Sequence, residues 1–190
     1  MTGIQTLDEL AAGFVPSLDR LTPLIEMQDL QWPNARLRRR VFIGDLAWPE
    51  PLTTSARAVV FKGSKVVVVS QGDGLRHVQP GGGLEPGETI EAAVRRELAE
   101  ETGWTVGPLK LLGFQLLQPL TPPPPGSTRR WGDMVHALHV AEAIAYDRRL
   151  RDTTQIETGS RLVPIRRALA ELADDEALLL AAAVERRARP

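Results

Sequence analysis

Three glutamates, Glu97, Glu100 and Glu101, close a stretch with helical spacing, and their crowding is the feature of this sequence that could do chemistry. Thr89 suits an N-cap and Glu91 the positive first turn. Ala92, Ala93, Val94, Leu98 and Ala99 supply helix formers or an apolar stripe, and Gly103 fits a left-handed stop. Residues three and four apart are neighbours on a helix, so the three carboxylates fall within an arc of roughly 100°. Like charges at this spacing cost about 0.2–0.5 kcal/mol per pair, and each anion near a helix C-terminus about 0.3–1 kcal/mol more. Arg95 and Arg96 offset part of this, although Arg96 precedes Glu100 in the weaker orientation. Such a face is expected to have something positive set against it. The competing reading, a solvated acidic face laced with arginines, fits Glu91 and Arg95 well.

The loop before the helix, Pro80-Gly81-Gly82-Gly83-Leu84-Glu85-Pro86-Gly87-Glu88, lets main chain approach a ligand closely. It lacks the Lys and Ser/Thr of GxxxxGK[ST] and the spacing of GxGxxG. What fits is a glycine turn that folds back, so that its carbonyls and the helix carboxylates converge on one hard cation. Oxygen-only ligands point to Mg²⁺ or Mn²⁺.

These residues resemble the box of the Nudix hydrolases, G-x5-E-x7-R-E-U-x-E-E-x-G-U with U a bulky apolar residue. Gly82, Glu88, Arg96, Glu97, Leu98, Glu100, Glu101, Gly103 and Trp104 fill every fixed position. The resemblance implies a pyrophosphohydrolase in which Glu97, Glu100 and Glu101 bind Mg²⁺, with Mn²⁺ as the alternative, and a backbone carbonyl at Gly81 or Gly82 joins them. It implies that Arg96 holds a catalytic glutamate in position and that Glu88 braces loop and helix. One of the three glutamates, or a carboxylate from a later loop, takes the proton from water. Glu157 is preferred for that later group over Asp152, Asp133 and Glu142.

The implied substrate is a small nucleoside diphosphate linked to another moiety, such as the nucleotide sugar ADP-ribose, or a nucleoside triphosphate, approached by Gly81 and Gly82. A proline about 15 positions beyond the box is associated with ADP-ribose hydrolases. Pro119 stands there, first of five prolines between 119 and 125. The signatures SQPWPFPxS and LLTxRS of the NADH and coenzyme A groups are absent. Arg129, Arg130 and Trp131 suit clamping phosphate and stacking a base, against an exposed arginine pair beside a core tryptophan. A non-catalytic nucleotide-binding or regulatory module is the alternative to an enzyme. The intact set of carboxylates favours the enzyme, since modules without turnover usually lose them.

The rest of the chain must position this segment. At 190 residues and 43% hydrophobic it can bury a sizeable core. A net charge of −1 leaves no electrostatic footprint for a nucleic-acid polymer. The absence of cysteine excludes disulfides and thiolate chemistry. With no signal pattern at Met1-Thr2-Gly3-Ile4-Gln5 and no run of about 18 apolar residues, a cytoplasmic protein without a membrane partner is expected. His136 and His139 would face opposite sides of a strand, which argues against a zinc pair.

Residues 5–14 and 18–30 have loosely helical spacing broken by Pro16, Pro23 and Pro33, and 36–46 reads as an amphipathic strand. Its Arg38-Arg39-Arg40 run is expected at a solvated edge. Residues 56–61 and 65–70 form a hairpin around Lys62-Gly63-Ser64, 109–117 and 134–144 are strands, and 121–131 is an exposed polyproline-type loop. A short strand at 162–165 and a long helix at 166–187 complete the chain. This order predicts an α/β fold, a mixed sheet between helices, as in the Nudix α/β/α sandwich. The division expected is an extension over 1–54, where a strand suits a homodimer contact as in some Nudix relatives, and a domain over 55–190.

Overall fold

A computed structural model of the chain describes residues 5–32, 35–72, 74–126, 130–152 and 157–189. In chain order it contains α1 (Leu7–Phe14), a 3₁₀ turn (Val15–Arg20), β1 (Ile25–Trp32), β2 (Ala35–Ile43), a 3₁₀ turn (Glu50–Leu52), β3 (Thr53–Lys62) and β4 (Lys65–Gln71). There follow β5 (Arg76–His77), β6 (Gly81–Gly83), α2 (Ile90–Thr102), β7 (Trp104–Val106), β8 (Lys110–Pro119) and β9 (Met134–Tyr146). A 3₁₀ turn (Arg148–Leu150), β10 (Glu157–Pro164), α3 (Ile165–Glu171) and α4 (Asp174–Ala188) end the chain. Two compact units result, Met1–Thr54 with Gly113–His136, and Ser55–Leu112 with Ala137–Pro190. The N-terminal residues therefore do not stand alone, because a segment from the middle of the sequence folds with them.

In the first unit Thr6 and Glu9 form a reciprocal capping box that starts α1. β2 lies between β1 and β8, antiparallel to both. Phe42 pairs with Phe114, and the rings of Phe14, Phe42 and Trp48 stand 5.8, 5.3 and 5.3 Å from that of Phe114. Leu18, Leu52, Leu116 and Val135 complete this core. The helix expected over 18–30 is instead a 3₁₀ turn followed by β1. Ile25, Met27 and Leu30 stand opposite Val41, Arg39 and Leu37, and that distant partner overrides a weak local preference.

The solvated edge expected for the arginine run is also corrected. With β2 internal, Arg39 and Arg40 are 6% and 3% exposed. Arg39 Nε donates to Gln115 Oε1 at 2.6 Å, and Arg40 donates to Asp19 at 2.9 Å and Gln118 at 3.2 Å. Buried cations persist only when paired in this way.

In the second unit β3 and β4 form the expected hairpin, and β10 pairs antiparallel with β4. Val66, Val67, Val68 and Val69 are all buried, so both faces of β4 are covered. Ala93, Val94 and Leu98 of α2 pack with Ala56, Ala58, Val60, Val67 and Val69. Full burial of Val94 and Leu98 contributes about 1.5–3 kcal/mol each. The long C-terminal helix divides because Leu172 and Ala173 are extended. Asp174, Asp175 and Glu176 then open α4, where the helix dipole favours anions. Among the described residues no helix is long and apolar enough to cross a membrane.

Candidate active site

The acidic helix starts and stops where local chemistry places it. Thr89 Oγ1 accepts the Ala92 N–H at 3.2 Å, and Gly103 takes φ 76°. The apolar stripe that docks α2 also carries two acids inward. Ala93, Val94, Glu97, Leu98 and Glu101 are all buried, while Glu100 keeps about a third of its side chain exposed. The chain after β9 ties down the helix C-terminus, where carbonyls lack intrahelical partners. Asp152 N–H reaches the Glu100 carbonyl at 2.9 Å, Arg151 Nε the Glu101 carbonyl at 3.3 Å, Ser160 Oγ the Thr102 carbonyl at 3.1 Å, and Asp147 N–H the Gly103 carbonyl at 2.8 Å. Arg151 adds a cation at the helix end that the glutamates make most negative.

The positive group set against the acidic face is Arg96. Its Nε and Nη2 donate to the two oxygens of Glu88 at 3.0 and 2.9 Å, and Nη2 also reaches the Gly83 carbonyl at 2.9 Å. Its Nη1 donates to Glu97 Oε1 at 2.8 Å and to Glu100 Oε2 at 3.2 Å. The weaker i,i+4 orientation is present, and it is the longer contact of the two. Glu88 also accepts the Glu85 N–H at 3.0 Å, so it fastens the loop to the helix through Arg96. These hydrogen bonds from Arg96 hold the Glu88 carboxyl below its ordinary range and raise the guanidinium in turn. Burial pushes the Glu97 carboxyl up, against the pull of Arg96.

The glycine loop meets this face through β6, whose Gly81 and Gly82 stand opposite Arg57 and Ala56 of β3. Gly81 N–H donates to Glu101 Oε2 at 2.9 Å. A Cβ on Gly81 would lie 2.3 Å from the Ala56 carbonyl oxygen, at φ 141°. A Cβ on Gly82 would lie 2.5 Å from the Glu97 carboxylate. Only glycine lets main chain and carboxylates approach this closely.

The second unit thus gathers Gly81, Gly82, Glu88, Arg96, Glu97, Glu100 and Glu101. Among the described residues no group of three His, Cys, Asp or Glu side chains is gathered as an ion cage. Glu97 and Glu100 turn to Arg96, and Glu101 to the Gly81 amide. The donor chemistry still suits a hard cation. Glu97 Oε2 receives no hydrogen bond among the described residues, and of the three helix glutamates Glu100 is the most exposed, its contact with Arg96 longer than that of Glu97.

Arg130 and Trp131 belong to the first unit. Arg130 donates to the carbonyls of Pro51, Leu52 and Asp133, and burial lowers its pKa. Trp131 is half-buried, with its indole N–H on the Thr121 carbonyl at 3.0 Å. Both polar groups are thus engaged by main chain. Arg129 lies outside the described residues. Glu157 opens β10 opposite Gln71, and its side chain lies outside them too. Of the competing acids, Asp133 accepts from Gln118 at 3.3 Å and Glu142 pairs with Arg187.

Sequence reasoning missed Arg57, Gln79 and Glu176. Arg57 donates to the Gln79 carbonyl at 3.2 Å, and Glu176 accepts from Val78 and Gln79. No local pattern marks them, since each acts across the sheet or from a distant helix.

A NUDIX domain model matches residues 51–183. Among solved structures, the pyrophosphohydrolase BsRppH of Bacillus subtilis is 20% identical over 80% of each chain, with a TM-score of 0.54. A NUDIX hydrolase from Nitrosomonas europaea is also 20% identical, over 70% of this chain and 89% of that one, with a TM-score of 0.54. The NUDIX domain of Shewanella oneidensis NrtR, complexed with ADP ribose, is 22% identical over 71% of this chain and 88% of its own, with a TM-score of 0.50. At these identities the likeness is one of fold. No curated protein matches the sequence.

Proposed function

The chain belongs to the NUDIX family, a hydrolase of pyrophosphate bonds, and from that premise we propose that it cleaves a nucleoside diphosphate linked to another moiety, by attack of water on phosphorus with Mg²⁺ or Mn²⁺ as cofactor. A nucleotide sugar such as ADP-ribose, or a nucleoside triphosphate, is the substrate class. The ADP ribose bound to the similarly folded domain from Shewanella oneidensis supports the former. The observation that carries the reading is the Arg96 fork. One cation binds Glu88, Glu97 and Glu100 together and presents them to the glycine loop.

Glu97, Glu100 and Glu101, with the Gly82 carbonyl, would hold the ion. When bound, it would neutralise diphosphate charge and lower the pKa of an attacking water. The chain's own residues do the rest. Arg96 orients Glu97 and Glu100. Glu88 and the Glu101–Gly81 bond hold the loop against the helix, so that main chain meets the phosphates at a fixed distance. A box glutamate or Glu157 accepts the water proton. The reaction takes place in the cytoplasm on a small molecule, without a nucleic-acid polymer or membrane partner, and the N-terminal segment is the place for a second copy to pair.

A panel of nucleotide sugars and nucleoside triphosphates with Mg²⁺ tests this, with Glu100→Gln run beside the wild type. One class of substrate is expected to be hydrolysed, and about a hundredfold more slowly by the variant. Equal rates would remove the catalytic reading and leave a binding module. The ion has its own readout, because binding to the folded state raises stability by mass action. Millimolar Mg²⁺ or Mn²⁺ is expected to raise the wild-type melting temperature by a few degrees, and Glu97→Gln to shrink the rise. No change at saturating metal would rule the ion site out.

A further inference from the structure

Glu176, in the first turn of α4, is a buried acid that the reaction as described does not use. It is 8% exposed, and both carboxylate oxygens are engaged by the segment leading into the glycine loop. Oε2 accepts the Val78 N–H at 2.9 Å, and Oε1 accepts from Gln79 Nε2 at 2.7 Å. Val78 is fully buried and Gln79 nearly so, leaving no water to replace either bond.

The next groups along the segment are also fixed. The Gln79 carbonyl accepts from Arg57 at 3.2 Å, the Pro80 carbonyl accepts the Ala58 N–H at 3.0 Å, and the Gly81 N–H reaches Glu101 at 2.9 Å. The approach to the loop is therefore strung between two carboxylates, Glu176 at its start and Glu101 at its end. A small displacement at Val78 has nowhere to go but along this line. At Gly82 there is no slack, since the main chain already lies against the Glu97 carboxylate. The N-terminal turn of a 15-residue helix favours an anion at position 176.

We infer that Glu176 is a positioning residue for pyrophosphate hydrolysis. Through Val78 and Gln79 it sets where Gly81 and Gly82 meet Glu101 and Glu97. The inference rests on the hydrolytic reading of that site and adds to it a part outside the box. Misplacement of a reacting centre by about 1 Å can cost a hundredfold in rate, whereas loss of a remote anchor need not change ground-state binding.

The test is a pair of variants. In Glu176→Gln the introduced amide offers one acceptor oxygen to two donors, so one bond is lost. In Glu176→Gln combined with Gln79→Glu the polarity is exchanged. The new amide oxygen accepts from Val78, and its NH₂ donates to the new carboxylate at 79, restoring both bonds. On a substrate returned by the panel, Glu176→Gln is expected to lower kcat at least tenfold with KM within about threefold, and the double variant to recover most of the loss. Amide hydrogen exchange at Gly81 is expected to quicken in the single variant and to slow again in the double. A kcat unchanged in Glu176→Gln, or a loss that the exchange of polarity fails to recover, would overturn the inference. If the single variant does not fold, Gln79→Met removes one of the two bonds and must show the same directions. If the wild type hydrolyses nothing, the hydrolytic reading has failed separately, and unaltered exchange at Gly81 would still exclude Glu176 as the anchor.

Discussion

Replacing Arg96 with methionine is expected to lower hydrolysis about a thousandfold and to destabilise the fold by about 3–5 kcal/mol. Methionine keeps much of the stem volume, so the variant tests the guanidinium rather than a cavity. The stability term follows from what the cation leaves behind. Glu88 and Glu97 keep only 13% and 10% of their side chains exposed, and among the described residues neither has another cation at hydrogen-bonding distance, although the Arg57 charge also acts on Glu97. Removing one member of such a group strands the others with their desolvation uncompensated, and Glu97, already pushed upward by burial, takes up a proton more readily.

The catalytic term is separate. Without Arg96, Glu97 and Glu100 have no common partner and the loop loses its tie at Gly83. Metal should partly rescue stability, because freed carboxylates repel one another less around a divalent ion. The rise in melting temperature with Mg²⁺ is therefore expected to exceed that of the wild type, even as turnover stays low. Activity within tenfold of wild type together with a stability change below about 1 kcal/mol would show that Arg96 is an ornament of the surface rather than the organiser of the site.

What could be read from sequence follows from how far apart the deciding partners lie. The caps of α2, Thr89 and Gly103, act within one turn, and the spacing of Glu97, Glu100 and Glu101 is local geometry. The β3–β4 hairpin is closed by two residues, again local. β1 was hidden because its register is set by β2, and Arg39 and Arg40 were misjudged because Gln115, Gln118 and Asp19 lie far along the chain. Arg96 was legible as a partial offset to the acidic face, four residues from Glu100, but its reach back to the Gly83 carbonyl was not, since that partner lies across the loop. Glu176 was invisible for the reason the buried arginines were misplaced. A charge in an Ala/Leu-rich helix reads as solvent-facing until the fold sets Val78 and Gln79 against it.

A pH effect on stability is expected from His77, which leads the chain into the same anchored segment. Its two ring nitrogens are shielded from solvent and make no hydrogen bond among the described residues. Burial, with the nearby Arg57 charge adding to it, lowers its pKa from 6.5 to about 4. The unfolded imidazole regains the ordinary value, so between these limits the unfolded chain binds a proton that the folded chain refuses. Stability from this group is full above pH 6.5 and is lost as the pH falls toward 4. A shift of this size corresponds to about 3 kcal/mol. Carboxylates titrate in the lower part of the same window, so the measurement is a difference. Urea unfolding of the wild type and His77→Leu at a series of pH values should give curves that converge or cross as the pH falls, the variant losing about 3 kcal/mol less than the wild type. Parallel curves would mean that the imidazole finds a proton-stabilising partner in the fold. The segment before Gly81 would then be less dry than the bonds to Glu176 require.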